Sequence, residues 1–164
     1  ALLLGDDVFD ERDSALDALI AAYNTTGKSV VGVQEVPLEH VSRYGIVNAP
    51  AGGADHWDVT TIVEKPDPAV APSRWAVVGR YVLEPRVFTH LSTLEPGVGG
   101  EFQLTDALAA LAREGRLVAA PIPAKRFDTG NKLDYLKANV EFALKRDDLR
   151  SDFIAYLKGL CRDF

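Results

Sequence analysis

At 164 residues, 47% apolar and 26% charged, the chain has the size and composition of a folded domain rather than a disordered segment. A net charge of −6 works against non-specific binding to nucleic acid or an anionic membrane, which need a positive surface, but leaves room for a small anionic substrate held by a few local cations. Apolar runs such as 1–4 and 75–78 fall far short of the ~20 residues that span a bilayer, no signal-peptide pattern opens the chain, and the single Cys161 cannot pair internally. A reducing cytoplasm is therefore the expected compartment, and Cys161, inside an apolar helical pattern, reads as a packing residue.

Ala1–Leu4 reads as a fully buried strand running into the polar loop Gly5-Asp6-Asp7. With no Met in the chain, that opening predicts a processed or truncated protein. A helix is expected from about Ser14, as N-cap, to Thr25, with Leu16, Leu19, Ile20 and Tyr23 on one face and Gly27 closing it. Ser29–Val36 is a strand stopped by Pro37, giving a strand–helix–strand unit and a parallel sheet. Residues 44–48 and 57–64 predict a hairpin turning through Gly52 and Gly53. Arg74–Leu83 is a further strand, and Pro85 opens a short helix to Leu91. After a glycine-rich loop at 97–100, a helix over Leu104–Arg113 buries Leu104, Ala107, Leu108 and Leu111 and ends at Gly115. Leu117–Ile122 is the next strand. Asn131 caps a helix to about Arg146 with Leu133, Leu136, Val140 and Leu144 inward, and a last amphipathic helix carries Phe153, Ile154, Leu157 and Leu160. The alternation is that of an α/β fold with an irregular, mixed sheet.

Several polar clusters could carry chemistry. Asp6 and Asp7 stand at the carboxyl end of a strand, where open α/β sheets place ligands, and a divalent cation would relieve their repulsion; a turn with helix-capping aspartates is the other reading. Glu64-Lys65-Pro66 ends a strand, with a compact cation suited to phosphate and a carboxylate suited to sugar hydroxyls, although the tripeptide also fits an ordinary surface turn. Gly45 either admits a ligand close to the backbone or is a simple turn glycine. Thr105 or Asp106 caps the helix after Gln103, whose positive end could face an anion. Asp128 is either a second metal carboxylate meeting Asp6 in the fold or part of an Asx-turn closed by Gly130. His40, His56 and His90 lack metal-ligand spacing.

The order of these segments is more specific than any one of them. Leu4–Asp7 (LGDD), Val41–Val47 (VSRYGIV), Val63–Pro66 (VEKP), Ala76–Leu83 (AVVGRYVL), Gly99–Asp106 (GGEFQLTD), Arg126–Lys132 (RFDTGNK) and Tyr135–Leu144 (YLKANVEFAL) together resemble the bacterial UTP–glucose-1-phosphate uridylyltransferases over nearly the whole chain. The resemblance implies a Rossmann-like nucleotidyltransferase fold, incomplete at the N-terminus. Residues 1–164 would be the C-terminal part of one catalytic domain, and the helices of 131–164 a candidate homo-oligomer interface. It implies UTP and glucose 1-phosphate as substrates, UDP-glucose and pyrophosphate as products, and Mg²⁺ as cofactor, with no nucleic-acid or membrane partner. Asp6 would be a Mg²⁺ ligand and Asp128 a second, Lys65 would contact the sugar phosphate, and Glu64 and Gly45 would hold glucose hydroxyls. Gly79 would allow close approach to the sugar, and Glu101 and Gln103 belong to a motif near the site. The family's N-terminal glycine-rich loop and uracil-reading segment have no counterpart here, so these 164 residues alone are expected not to turn over. Gly5 also stands where the family commonly has Pro. The other readings are a sister thymidylyl- or adenylyltransferase, a metal-dependent glycosyltransferase, and a non-catalytic sugar-nucleotide-binding module.

Overall fold

A computed structural model describes residues 1–10, 15–50, 55–96 and 100–162. Ser14, Gly52, Gly53 and 97–99, which carry an expected cap and two expected loops, lie outside them. The chain divides into two compact units, Ala1–Leu4 with Asp10–Lys125, and Gly5–Phe9 with the chain from Arg126 onward.

The first unit is built on a seven-stranded mixed sheet. Its strands are β1 (Leu2–Leu3), β3 (Ser29–Glu35), β4 (Gly45–Val47), β5 (Trp57–Asp58), β6 (Ile62–Glu64), β7 (Trp75–Val82) and β8 (Leu117–Pro121). The order is β5-β8-β3-β7-β4-β6, and β1 joins at β7. Among the described residues this unit has helices α1 (Ala15–Thr26), α2 (Arg86–Leu91) and α3 (Leu104–Arg113), with a 3-10 helix at Leu38–Arg43. The first five residues of β3 are buried without alternation, the mark of a strand covered on both faces. Val31 and Val33 join Leu117 and Ala119 of β8 and Leu108 and Leu111 of α3 in one core. The intervening Val30 and Val118 are also buried, and with a two-residue period they face the other side, where α1 packs on β3, β7 and β8. Trp57 and Trp75 meet edge to face at 5.2 Å between ring centroids, and the Trp57 indole N–H donates to the Asn48 carbonyl.

The sequence expectations need correcting at several points. β1 is two residues long, pairs only with β7, and leaves Leu3 51% exposed, so it is no buried central strand. Both β1 and β3 run antiparallel to β7, which lies between them; they are parallel to each other without pairing, and the parallel ladder described is β3–β8. The expected hairpin is half right. β4 pairs with β6, but Trp57 and Asp58 leave to extend β8 from its other edge. On α1 the inward face is Ala15, Leu19 and Ala22 rather than one including Ile20. Gly27 closes the helix with φ +64, and its N–H reaches the Tyr23 carbonyl.

Two glycines shape the centre of the sheet. β7 bulges against β3 between the Val31–Tyr81 and Val33–Val77 pairs, and Gly79, with φ +50, supplies the left-handed residue inside that bulge. Opposite it, a Cβ on Gly32 would lie 2.5 Å from Ile122 Cδ1 and 3.1 Å from the Arg80 carbonyl oxygen. The isoleucine could turn away but the carbonyl belongs to the bulge. Gly32→Ala is therefore expected to lower stability by about 1–3 kcal/mol, read as a fall in the denaturation midpoint at unchanged slope.

The second unit holds β2 (Asp7–Phe9) and β9 (Arg126–Asp128), an antiparallel pair absent from the sequence expectations, with α4 (Lys132–Lys145) and α5 (Arg150–Leu160). Asn131 caps α4 as expected, its side-chain oxygen accepting from the Leu133 and Asp134 amides. The inward face is again different. Ala138 is buried and the Phe127 and Phe142 rings sit 5.7 Å apart, while Leu133 and Leu136 are each 60% exposed. No described residue of α5 is fully buried, and Cys161 is exposed rather than packed.

Candidate active site

In the first unit the polar cluster forms where β4 and β6 pair. Gly45 is the register partner of Glu64. The Thr105 hydroxyl, on the first turn of α3, donates to Glu64 Oε2 at 2.6 Å, and Lys65 Nζ lies 3.6 Å from Glu64 Oε1. One carboxylate oxygen is thus held by a neutral donor and the other faces an ammonium, which fixes the plane of the group. A Cβ on Gly45 would stand 3.2 Å from Glu64 Oε2 and 3.6 Å from Thr105 Oγ1. The missing side chain is what lets the carboxylate and hydroxyl meet so near the strand.

Lys65 has φ +46 and is the described non-glycine residue with positive φ. Its amide donates to the Tyr44 carbonyl at 3.0 Å, one rung beyond the β4–β6 ladder, and Pro66 follows. The pairing holds a backbone conformation that costs about 1–3 kcal/mol and concentrates at functional sites, and Pro66 adds to the strain, since the residue before a proline favours extended backbone at negative φ. The Lys65 side chain, 60% exposed, is presented to solvent rather than consumed in the core.

Neither Thr105 nor Asp106 caps α3. Gln103 occupies that position without a side-chain cap bond, and its amide donates to Glu101 Oε2 at 3.1 Å instead. Continuing the β4–β7 register, in which Ile46 faces Ala76, places Gly45 opposite Val77 and Gly79 two residues further along β7. The Gly79 carbonyl accepts from the Leu4 amide at 2.9 Å.

In the second unit the adjacent aspartates separate. Asp7 is buried, opposite Asp128 in the β2–β9 ladder, and forms a hydrogen-bonded ion pair with Arg126. Burial pushes its carboxyl above the ordinary 3.8, against the opposing pull of Arg126. The fold thus favours the protonated form. The stability it contributes is full below pH 3.8 and is lost as pH rises through the raised value. Asp6 is exposed. Its carbonyl accepts from both the Thr129 amide and hydroxyl, at 2.7 and 2.9 Å, which ties the 5–7 turn to the 128–130 turn. A Cβ on Gly130 would sit 3.2 Å from Asp128 Oδ1 and 3.6 Å from Asp6 Oδ2. Two carboxylates therefore close on one point across a bare backbone. Among the described residues no group of three or more His, Cys, Asp or Glu is placed to hold a metal. A pair of hard oxygen donors fits Mg²⁺, which takes one or two carboxylates and completes its shell with water and phosphate oxygens.

The structure thus brings together Gly45, Glu64 and Lys65 in one unit and Asp6 and Asp128 in the other, and pairs Glu101 with Gln103. Sequence reasoning missed Thr105 as the partner of Glu64 and Arg126 as the partner of Asp7. A polar side chain on the first turn of α3 was legible, but its acceptor lies 41 residues away.

A mixed sheet flanked by helices, with its polar groups gathered at strand ends, is the architecture of a Rossmann-like nucleotidyltransferase. The chain belongs to the nucleotidyl transferase family, whose model matches residues 1–145. It is 42% identical over 160 residues to UTP–glucose-1-phosphate uridylyltransferase 2 of Staphylococcus saprophyticus, covering 98% of this chain and 55% of that protein. It is 43% identical over 162 residues to UTP–glucose-1-phosphate uridylyltransferase YngB of Bacillus subtilis, covering 99% and 54%. A crystal structure of UDP-glucose pyrophosphorylase complexed with UDP-glucose superposes with a TM-score of 0.82 at 36% identity, covering 88% of this chain and 55% of that one. The chain thus spans about half the length of the relatives it matches. No helix among the described residues is long and apolar enough to cross a membrane.

Proposed function

We propose that the protein is a UTP–glucose-1-phosphate uridylyltransferase, in which a phosphate oxygen of glucose 1-phosphate attacks the α-phosphorus of UTP, giving UDP-glucose and pyrophosphate. The observation that carries this reading is the Glu64–Lys65 turn, where a strained backbone presents one cation beside a carboxylate seated against the bare backbone of Gly45. In this reading Lys65 pairs with the sugar phosphate, and Glu64 and Gly45 hold the glucose hydroxyls. Gly79 leaves space beside the sugar, and Glu101 and Gln103 border the site. Asp6 and Asp128 hold Mg²⁺, which supplies charge neutralisation to the phosphates when bound. The protein's own contribution is to position the two reactants and to offset developing charge. A cytoplasmic location and a homo-oligomer joined through α4 and α5 belong to the same proposal; the exposed Leu136 and Tyr156 on those helices support the second.

Base choice is the point on which a thymidylyl- or adenylyltransferase would differ. Pyrophosphate release by the whole protein, with glucose 1-phosphate and each of UTP, dTTP and ATP in turn, tests it. Release with UTP at least tenfold faster than with the others is expected. Preference for another nucleotide would keep the family and overturn the uridine assignment.

A further inference from the structure

We infer that Thr105 is a positioning residue for sugar recognition: its hydroxyl orients the Glu64 carboxylate, and sugar-phosphate affinity depends on that one hydrogen bond. The inference rests on the reading of Glu64 and Lys65 as the sugar-phosphate site. Thr105 is the second residue of α3, because the cap is Gln103. A hydroxyl there is free of the usual local role and instead crosses to Glu64 Oε2 at 2.6 Å, 41 residues away in the chain. The β-branch of threonine restricts χ1, and the hydrogen bond shows the rotamer that aims the hydroxyl at Glu64. Its single proton goes to one carboxylate oxygen while Lys65 faces the other at 3.6 Å. The group therefore meets a ligand with one orientation and acceptor-only character, suited to sugar hydroxyl donors. Serine would keep the donor but lose the methyl group that restricts χ1, and valine would keep the shape but lose the donor. A merely structural staple between α3 and β6 would show itself in stability alone.

Glucose 1-phosphate is titrated into the whole protein and into its Thr105→Val, Thr105→Ser and Glu64→Gln variants, with Kd read from amide NMR shifts and Tm measured alongside. Loss of a hydrogen bond to a charged group predicts a rise in Kd of roughly tenfold or more for Thr105→Val, largely recovered in Thr105→Ser. In a Glu64→Gln background the Thr105→Val change should add little, since the two residues act through one contact. If Glu64→Gln weakens binding while Thr105→Val changes only Tm, the positioning role is overturned and the sugar-phosphate site stands. If the whole protein shows no saturable binding, or Glu64→Gln leaves Kd unchanged, the sugar-phosphate reading fails and this inference fails with it.

Discussion

Replacing Lys65 with Ala is expected to lower kcat/KM for glucose 1-phosphate in the whole protein by about 10²–10³-fold, the scale seen when one preorganised charge-stabilising donor is removed. The magnitude follows from the site's composition. Lys65 is the cation placed beside Glu64, its side chain is largely exposed, and its backbone is held at φ +46 by the Tyr44 hydrogen bond. A residue kept in that conformation at a cost should be more valuable to the reaction than to the fold. Lys65→Gly separates the two effects. Glycine adopts positive φ without penalty, so this variant should be as inactive as Lys65→Ala while melting no lower. Steady-state kinetics and thermal unfolding on the same preparations check both statements. An inactive Lys65→Ala that is also the less stable of the pair fits, whereas full activity in Lys65→Gly would remove Lys65 from the chemistry.

Asp6→Ala and Asp128→Ala should each raise the Mg²⁺ concentration for half-maximal activity by at least tenfold, with the double variant close to either single one. Their oxygens converge beside Gly130, and two groups serving one ion lose their function together rather than additively. Even the altered second shell of a metal site typically costs about 10–100-fold in affinity, so a direct ligand should cost no less. Asp7→Asn is the internal control. Asp7 is buried against Arg126, and its replacement should leave the Mg²⁺ midpoint in place. A Mg²⁺ titration of activity for the four variants distinguishes the outcomes. A midpoint moved by Asp7→Asn but not by Asp6→Ala would reverse the assignment of the two neighbours.

Much of the fold was legible because its signals are local. α3 begins and ends where the Leu104–Arg113 pattern and Gly115 place it, Asn131 caps α4, and Pro85 opens α2. Burial and pairing were less legible because they depend on partners distant in sequence. Leu2 and Leu3 have the composition of an interior strand, but pairing on one edge leaves them exposed. The 57–64 segment has strand propensity throughout, yet Trp57 and Ile62 join different neighbours, since tryptophan packing and the Asn48 bonds redirect the chain between them. On α4 the periodic leucines suggested the inward face, while the smaller Ala138 is the residue that fits against the unit's core.

The candidate site divides in the same way. Glu64, Lys65, Asp6 and Asp128 could be singled out from residue type and ordered motifs. Residue type alone did not separate Asp6 from Asp7; the resemblance singled out Asp6, and the β2–β9 pairing turns Asp7 toward Arg126. Thr105 could be mistaken for a cap because its acceptor is remote in sequence.

The most direct measurement follows the bridging oxygen of glucose 1-phosphate. The whole protein is supplied with Mg²⁺, UTP and glucose 1-phosphate carrying ¹⁸O between C1 and phosphorus, and the products are read by ³¹P NMR. Attack by a phosphate oxygen on the α-phosphorus leaves the C1–O bond intact, so pyrophosphate and UDP-glucose should appear in equal amounts with the label retained in the bridge to glucose. UTP left unconsumed, or a product whose C1–O bond has been broken as in glycosyl transfer, would contradict uridylyl transfer at this site.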